Sequence, residues 1–121
     1  MKTILIADDD RLIVETLNAI LTEAGYNIIT AYDGEEALSK IIKHTPGLVI
    51  LDINMPKMNG YDVITEIKNR VVPMPKTIIL TVRDTMPEQA LGTIIGADLY
   101  LTKPFKNAEL RDKVQQLLPN D

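Results

Sequence analysis

Ile4-Leu5-Ile6-Ala7-Asp8-Asp9-Asp10 is an apolar run that breaks into three consecutive acids. The run has the make-up of a buried strand. Behind it, Leu12, Ile13, Thr16, Leu17, Ile20, Leu21 and Ala24 recur at three- and four-residue spacing, as on one face of a helix. A strand leading straight into a helix is the opening unit of an α/β fold. Nucleotide-binding versions of this unit carry glycines in the turn, so that backbone amides wrap a phosphate at the helix N-terminus. Three carboxylates do the reverse: they repel a bare phosphate and invite a hard cation such as Mg2+. The first turn therefore argues for metal-assisted phosphoryl chemistry and against ordinary cofactor binding.

The same alternation continues outward. Strands are expected at Thr3–Asp8, Asn27–Ala31, Leu48–Asp52, Thr77–Thr81 and Asp98–Thr102, most of them near-continuous runs of Ile, Leu and Val of the kind buried on both faces of a parallel sheet. Helical spacing marks a second helix at Ala37, Leu38, Ile41 and Ile42, beginning near Asp33-Gly34, and a third at Val63, Ile64 and Ile67. A fourth runs from Met86-Pro87-Glu88 to Gly96 through Ala90, Leu91, Ile94 and Ile95, and a fifth carries Leu110, Val114, Leu117 and Leu118. Gly25 is the natural stop of the first helix. Strict alternation with right-handed crossovers predicts a doubly wound, five-stranded parallel sheet, flavodoxin-like (βα)5, with strand order 2-1-3-4-5. The whole chain, 1–121, reads as one domain with no output domain.

Composition narrows the possibilities. The 121 residues contain no Cys, which excludes a disulfide frame and a thiol nucleophile. No apolar stretch reaches the ~20 residues needed to span a bilayer, and no basic-then-apolar leader is visible, so a cytoplasmic protein without membrane contact is expected. A net charge of −4 without any Lys/Arg cluster argues against direct nucleic-acid binding. The single His44 lies in the polar stretch Lys43-His44-Thr45-Pro46 and reads as a surface residue at a helix end.

In a sheet of this kind all strands deliver their C-terminal ends to one crevice. Strand 1 brings Asp8 and Asp9, strand 3 brings Asp52, strand 4 brings Thr81, and strand 5 brings Lys103 just past its end. Asp10, directly before the first helix, suits an N-cap. Three converging carboxylates repel one another by ~4 kcal/mol per pair at ~4 Å and an effective dielectric near 20. A bound cation, a nearby ammonium or protonation of one acid must offset this. Mg2+ suits the oxygen donors, Lys103 adds a second positive charge, and Thr81 adds a hydroxyl donor. Asp52 then has the surroundings of a nucleophile able to form an acyl phosphate.

Four collinear segments carry a resemblance that covers nearly the whole chain: Ile4 to Asp10, Leu51-Asp52-Ile53-Asn54-Met55-Pro56-Lys57-Met58-Asn59-Gly60, Ile79-Leu80-Thr81, and Gly96-Ala97-Asp98-Leu99-Tyr100-Leu101-Thr102-Lys103-Pro104-Phe105. The sequence resembles the receiver domains of two-component response regulators, of the chemotaxis-regulator type. The resemblance implies that Asp52 accepts a phosphoryl group from the phosphohistidine of a histidine kinase or phosphotransfer protein. It implies Mg2+ held by Asp9, Asp52 and the Asn54 backbone carbonyl, with Asp8 in the outer shell. Lys103 would pair with the phosphoryl, Thr81 would turn toward it, and Tyr100 would follow from an exposed to a buried rotamer. Lys103-Pro104 would be a cis peptide. Signals would leave through the face of helix 4, strand 5 and helix 5 to a downstream protein or output domain, or to a second copy in a homodimer. The domain would be regulatory, catalysing only its own phosphorylation and dephosphorylation.

Departures from the family pattern are Val82, where a small Ala is usual, and Leu99, which either adds apolar area to that output face or packs under a helix. Asn54 and Arg83 occupy positions that tune dephosphorylation, Arg83 by contacting the phosphoryl or by blocking the attacking water. Met55, Met58 and Met86 read as gap-fillers. The rival readings are weaker. A Mg2+-dependent phosphatase with an aspartyl nucleophile needs a second acid where Asn54 stands. A flavin- or nucleotide-binding domain needs a Gly-rich loop, which is missing. A phosphorylation-independent scaffold is weakened by the presence of all five site residues.

Overall fold

Continuous apolar strands can bury both faces only if helices cover both, and alternation of side chains along each strand divides the core accordingly. The structure, a computed structural model, describes residues 2–70, 74–82 and 96–119. In chain order the elements are β1 (Thr3–Ala7), α1 (Arg11–Glu23), β2 (Asn27–Ala31), α2 (Gly34–His44), β3 (Leu48–Asp52), α3 (Gly60–Arg70), β4 (Lys76–Val82), β5 (Leu99–Lys103) and α4 (Asn107–Leu117). The expected fourth helix and Arg83 and Met86 lie outside the described residues, so α4 is the fifth helix of the sequence reading. All strand pairs are parallel, and the sheet order is β2-β1-β3-β4-β5, as expected.

On one face Leu5, Ala7, Val49, Leu51 and Ile79 pack with Ala37 and Ile41 of α2 and Val63, Ile64 and Ile67 of α3. On the other, Ile4, Ile6, Leu48, Ile50, Ile78, Leu80 and Leu101 pack with Val14, Leu17 and Leu21 of α1 and Leu110 and Val114 of α4. Each fully buried Leu or Ile contributes about 1.5–3 kcal/mol of transfer free energy, so these two layers hold the strand ends in place. Leu99 packs half-buried against the second layer, so part of its apolar area is covered by that layer and part stays exposed. Met55 is buried in the first layer and Met58 packs on it, as gap-fillers do. Among the described residues, no helix is long and apolar enough to cross a membrane.

Local chemistry sets the helix ends. The Asp10 carboxylate accepts from the amides of Leu12 and Ile13 at 3.0 and 3.4 Å, making it the N-cap of α1. Asp33 caps α2 by accepting from Glu36 N at 2.7 Å. Gly25, at φ 100°, turns the chain out of α1 in a conformation that costs a side-chain-bearing residue most. His44 is exposed in the last turn of α2. Five strand boundaries shift by one residue from expectation: the end of β1 and both ends of β4 and of β5. Asp8 falls just past β1, its amide still donating to Ala31 O at 3.2 Å while its carboxylate accepts other donors, and Asp98 precedes β5 because its carboxylate accepts from Thr77 N at 2.8 Å.

Candidate functional site

Parallel pairing carries every strand's C-terminus to the same edge. The register sets Asp52 of β3 beside Leu80, so that Thr81 lies one residue further along β4, and it sets Lys103 of β5 beside Val82. Asp8 follows the end of β1, which pairs directly with β3. The carboxylates of Asp8, Asp9 and Asp52 can all place an oxygen within 4.8 Å of one another. Asp8 is fully buried, Asp52 is 7% exposed, and Asp9 opens to solvent.

Lys103 holds the cluster together. Its Nζ donates to Asp8 Oδ2 at 2.8 Å and to Asp52 Oδ1 at 3.1 Å. The other Asp8 oxygen accepts from Asp10 N at 2.9 Å, so both of its oxygens are engaged by the protein itself. Burial pushes the Asp8 carboxyl above its usual range against the pull of Lys103. Asp52 is pushed up to about 6, first by burial and then by the Asp8 charge, with Lys103 opposing. Burial works against the Lys103 ammonium as well, but its bonds to Asp8 and the charge of Asp52 outweigh that and hold its pKa above the ordinary value. One ammonium faces three carboxylates, leaving an excess of negative charge that a hard cation would neutralise.

Close backbone packing fixes the approach to this edge. A Cβ on Gly60 would stand 2.6 Å from the Asp52 carbonyl oxygen, so only glycine lets α3 start there. Gly60 N donates back to Ile53 O at 2.9 Å, closing the loop between β3 and α3. The peptide Lys103-Pro104 is cis.

Residues 4–115 match the model of the response regulator receiver domain. The chain belongs to that family. It is 39% identical over 117 residues to the alkaline phosphatase synthesis transcriptional regulatory protein PhoP of Bacillus subtilis, an alignment covering 97% of the chain and 48% of PhoP. The chain thus spans about half the length of the first curated relatives it matches. The structure of the response regulator TrrA of Thermotoga maritima in complex with Mg2+-BeF superposes with a TM-score of 0.86 at 42% identity, covering 98% of this chain and 100% of that one. The chemotaxis protein CheY4 of Vibrio cholerae gives 0.91 at 31% identity, covering 98% and 99%. The receiver domain is a phospho-accepting switch of two-component signalling, which makes this chain a regulatory signalling domain.

Of the residues singled out from sequence, the receiver domain brings Asp8, Asp9, Asp52 and Lys103 into one cluster. Thr81 is 2% exposed at the same edge, its hydroxyl donating to Val82 O at 3.3 Å. Val82 is 52% exposed beside it. Asn54 is exposed on the loop after β3. Tyr100 is half-buried against the α2–α3 layer, on the opposite face of β5 from Leu99. What the sequence reading missed is the second neighbour of that loop. Asp33 and Gly34, read only as a helix start, touch the segment that follows Asp52. Asp33 pairs with Lys57 at 3.7 Å, and Gly34 N donates to Pro56 O at 3.4 Å. The positive φ of Lys57, 71°, is the local sign of a constrained loop, but no sequence pattern announces it.

Proposed function

We propose that Asp52 is the phospho-acceptor of this receiver domain and that residues 1–121 act as one phospho-accepting unit. In this reading a carboxylate oxygen of Asp52 attacks the phosphorus of a phosphohistidine on a histidine kinase or phosphotransfer protein. The O–P bond of an acyl phosphate forms as the N–P bond breaks, and the imidazole leaves with the bonding electron pair. The observation that carries this is the Asp52 carboxylate itself. It stands at a strand end beside Asp8, Asp9 and a bridging ammonium, where it is pushed up to about 6 by burial and by Asp8.

The donor set suits Mg2+, because three carboxylates that reach within 4.8 Å of one another offer the hard oxygen ligands that ion takes. Asp9, Asp52 and the Asn54 backbone carbonyl would hold it directly, and Asp8 would act from the outer shell. Engagement of both Asp8 oxygens by Asp10 N and Lys103, against the exposure of Asp9, supports that division. When bound, Mg2+ supplies positive charge against the transferring phosphoryl. Lys103 would exchange its resting bonds for the phosphoryl, which carries roughly −1.5 to −2 charges. Thr81 would donate its hydroxyl to a phosphoryl oxygen, and Tyr100 would follow it inward. The altered β4–β5 edge and α4 would then present a changed face to a downstream protein, an output domain or a second copy. A shift from 1:99 to 99:1 needs ~5.5 kcal/mol of differential interaction, which new bonds from Lys103 and Thr81 to a dianion are of the right kind to supply.

Incubation with a small phosphodonor such as acetyl phosphate, or with a cognate kinase, tests the reading. The wild-type chain is expected to gain one phosphoryl in the presence of Mg2+, and Asp52→Asn none. Full labelling of Asp52→Asn would remove Asp52 from the role. Thr81→Ala should still be labelled while losing the spread of NMR shifts to Tyr100, and unchanged shifts would refute the Thr81–Tyr100 coupling.

A further inference from the structure

The loop from Ile53 to Asn59 leaves the phospho-acceptor strand and carries the Asn54 carbonyl. It is gripped at two points. One grip is Gly60, at the start of α3. The other comes from a different element altogether, the N-terminus of α2. A Cβ built on Gly34 would lie 2.0 Å from the Met58 carbonyl oxygen, 2.5 Å from Met58 Cβ and 2.7 Å from the Met58 carbonyl carbon. Two backbones therefore meet at a separation that no side chain can enter. Gly34 N donates to Pro56 O at 3.4 Å, Met58 N donates to Pro56 O at 2.8 Å, and the Asp33 carboxylate reaches Lys57 Nζ at 3.7 Å.

Of the two partners α2 is the fixed one. Ala37 and Ile41 are fully buried in the α2–α3 layer. Asp33 caps the helix through Glu36 N at 2.7 Å, and Glu36 Oε1 in turn accepts from Tyr32 N at 2.7 Å. Lys40 adds a pair with Glu36 at 2.9 Å and a bond to Thr30 O at 2.7 Å. The loop is pinned at Ile53 and Met55, which are buried, while Asn54, Pro56, Lys57 and Asn59 are exposed and free to give. A forced separation at this contact must move the loop.

We propose that Gly34 is a positioning residue for the metal site. Its lack of a side chain lets the α2 N-terminus seat the loop after β3, and so sets where the Asn54 carbonyl stands relative to Asp52. This rests on the reading of Asn54 as a Mg2+ ligand given above. Real Cβ atoms essentially never come within 3.0 Å of such neighbours, so Gly34→Ala demands a shift of about 1 Å at Met58. Mg2+ requires near-ideal octahedral geometry at about 2.0–2.1 Å, which makes its affinity a sensitive gauge of such a shift.

Calorimetric Mg2+ titration of the purified chain tests the proposal, with unfolding curves recorded in parallel. Gly34→Ala is expected to remain folded at the titration temperature and to bind Mg2+ roughly 10- to 100-fold more weakly, the range typical of lost outer-shell support. Gly47→Ala is the control. Its Cβ would meet only the end of the Leu118 side chain, at 2.9 Å, on the far edge of the sheet, and its Mg2+ affinity should match wild type. Asp9→Ala separates the two layers of inference. Wild-type affinity in Gly34→Ala with a large loss in Asp9→Ala overturns the positioning role and leaves the metal reading standing. Wild-type affinity in both overturns both. If Gly34→Ala does not fold, amide exchange of the wild-type chain decides. Mg2+ should slow exchange of the Gly34 amide, because its acceptor Pro56 O belongs to the loop, and an unchanged rate overturns the proposal.

Discussion

Asp52→Asn is expected to stabilise the metal-free protein at neutral pH. Asp52 is 7% exposed, and burial together with the Asp8 charge pushes its carboxyl from 3.8 up to about 6. A folded-state pKa above the unfolded value means that between the two the native chain binds more protons than the unfolded chain. Stability tied to this group is therefore full below about pH 3.8 and is lost as the pH rises through about 6. At roughly 1.4 kcal/mol per pH unit, the ionised carboxylate costs the fold up to about 3 kcal/mol at pH 7. Asparagine resembles the protonated acid: it repels neither Asp8 nor Asp9, and its oxygen still offers Lys103 an acceptor. The Asp8–Lys103 pair at 2.8 Å survives, so the substitution orphans no buried ammonium.

The expected gain at pH 7 is about 1–3 kcal/mol, falling toward zero near pH 4. The chain has no Trp, so urea unfolding in EDTA is best followed by far-ultraviolet circular dichroism across that range. The gain should appear as a higher midpoint at unchanged slope. Mg2+ should then narrow the difference, since a metal present at 100 times its Kd adds about 2.7 kcal/mol to the state that binds it. A variant no more stable than wild type at pH 7, or a gain that does not vary with pH, would refute the account of Asp52 as a buried, repelled carboxylate.

Three further outcomes follow from the same geometry. Asp9→Ala should weaken Mg2+ binding strongly with little effect on unfolding, whereas Asp10→Ala should cost about 1 kcal/mol of stability by removing the N-cap of α1 and change Mg2+ affinity less; equal metal losses in titration would reject the split. Lys103→Met leaves buried Asp8 without its ammonium, so the metal-free fold should lose about 3–5 kcal/mol at pH 7, read by urea unfolding, and regain part of it on adding Mg2+. Lys106 sits at the N-cap of α4 with no side-chain cap bond, so Lys106→Ser should raise stability by about 0.5–1 kcal/mol, seen as a melting temperature a few degrees higher.

Where the sequence spoke clearly, it did so through local rules. Continuous apolar runs in Ile4 to Ala7 and Leu48 to Leu51, buried at every position, period-3.6 spacing in α1, and caps at Asp10 and Asp33 all act within a few residues, and the strand order follows from handedness once the alternation of strands and helices is seen. The cluster of Asp8, Asp9, Asp52 and Lys103 was legible for the same reason, because a parallel sheet turns strand ends into spatial neighbours. Contacts that depend on the path of a loop were not legible. Nothing in Asp33-Gly34 says that Met58 will lie against it, since that meeting depends on how the β3–α3 loop folds back over α2. The pleat of β5 sends Leu99 to the layer of α1 and α4 and Tyr100 to the other face, a division that the β5 sequence alone did not announce.

The three acids after β1 show why a run of like residues should be read one position at a time. Asp8 is fully buried, and an unpaired carboxylate there would be ruinous; Lys103 and Asp10 N make it tolerable. That arrangement has a consequence for Lys103. Its ammonium is shared between Asp8 and Asp52 at rest, so turning toward a phosphoryl on Asp52 weakens its hold on Asp8. With the proposed phosphoryl on Asp52, repulsion between Asp8 and Asp52 would give way to repulsion between Asp8 and the phosphoryl. A cation beside Asp9 would then stabilise the site more than before. Metal dependence of phosphorylation and the movement of Lys103 are in this view two sides of one charge balance, and both trace to a carboxylate that never leaves the interior.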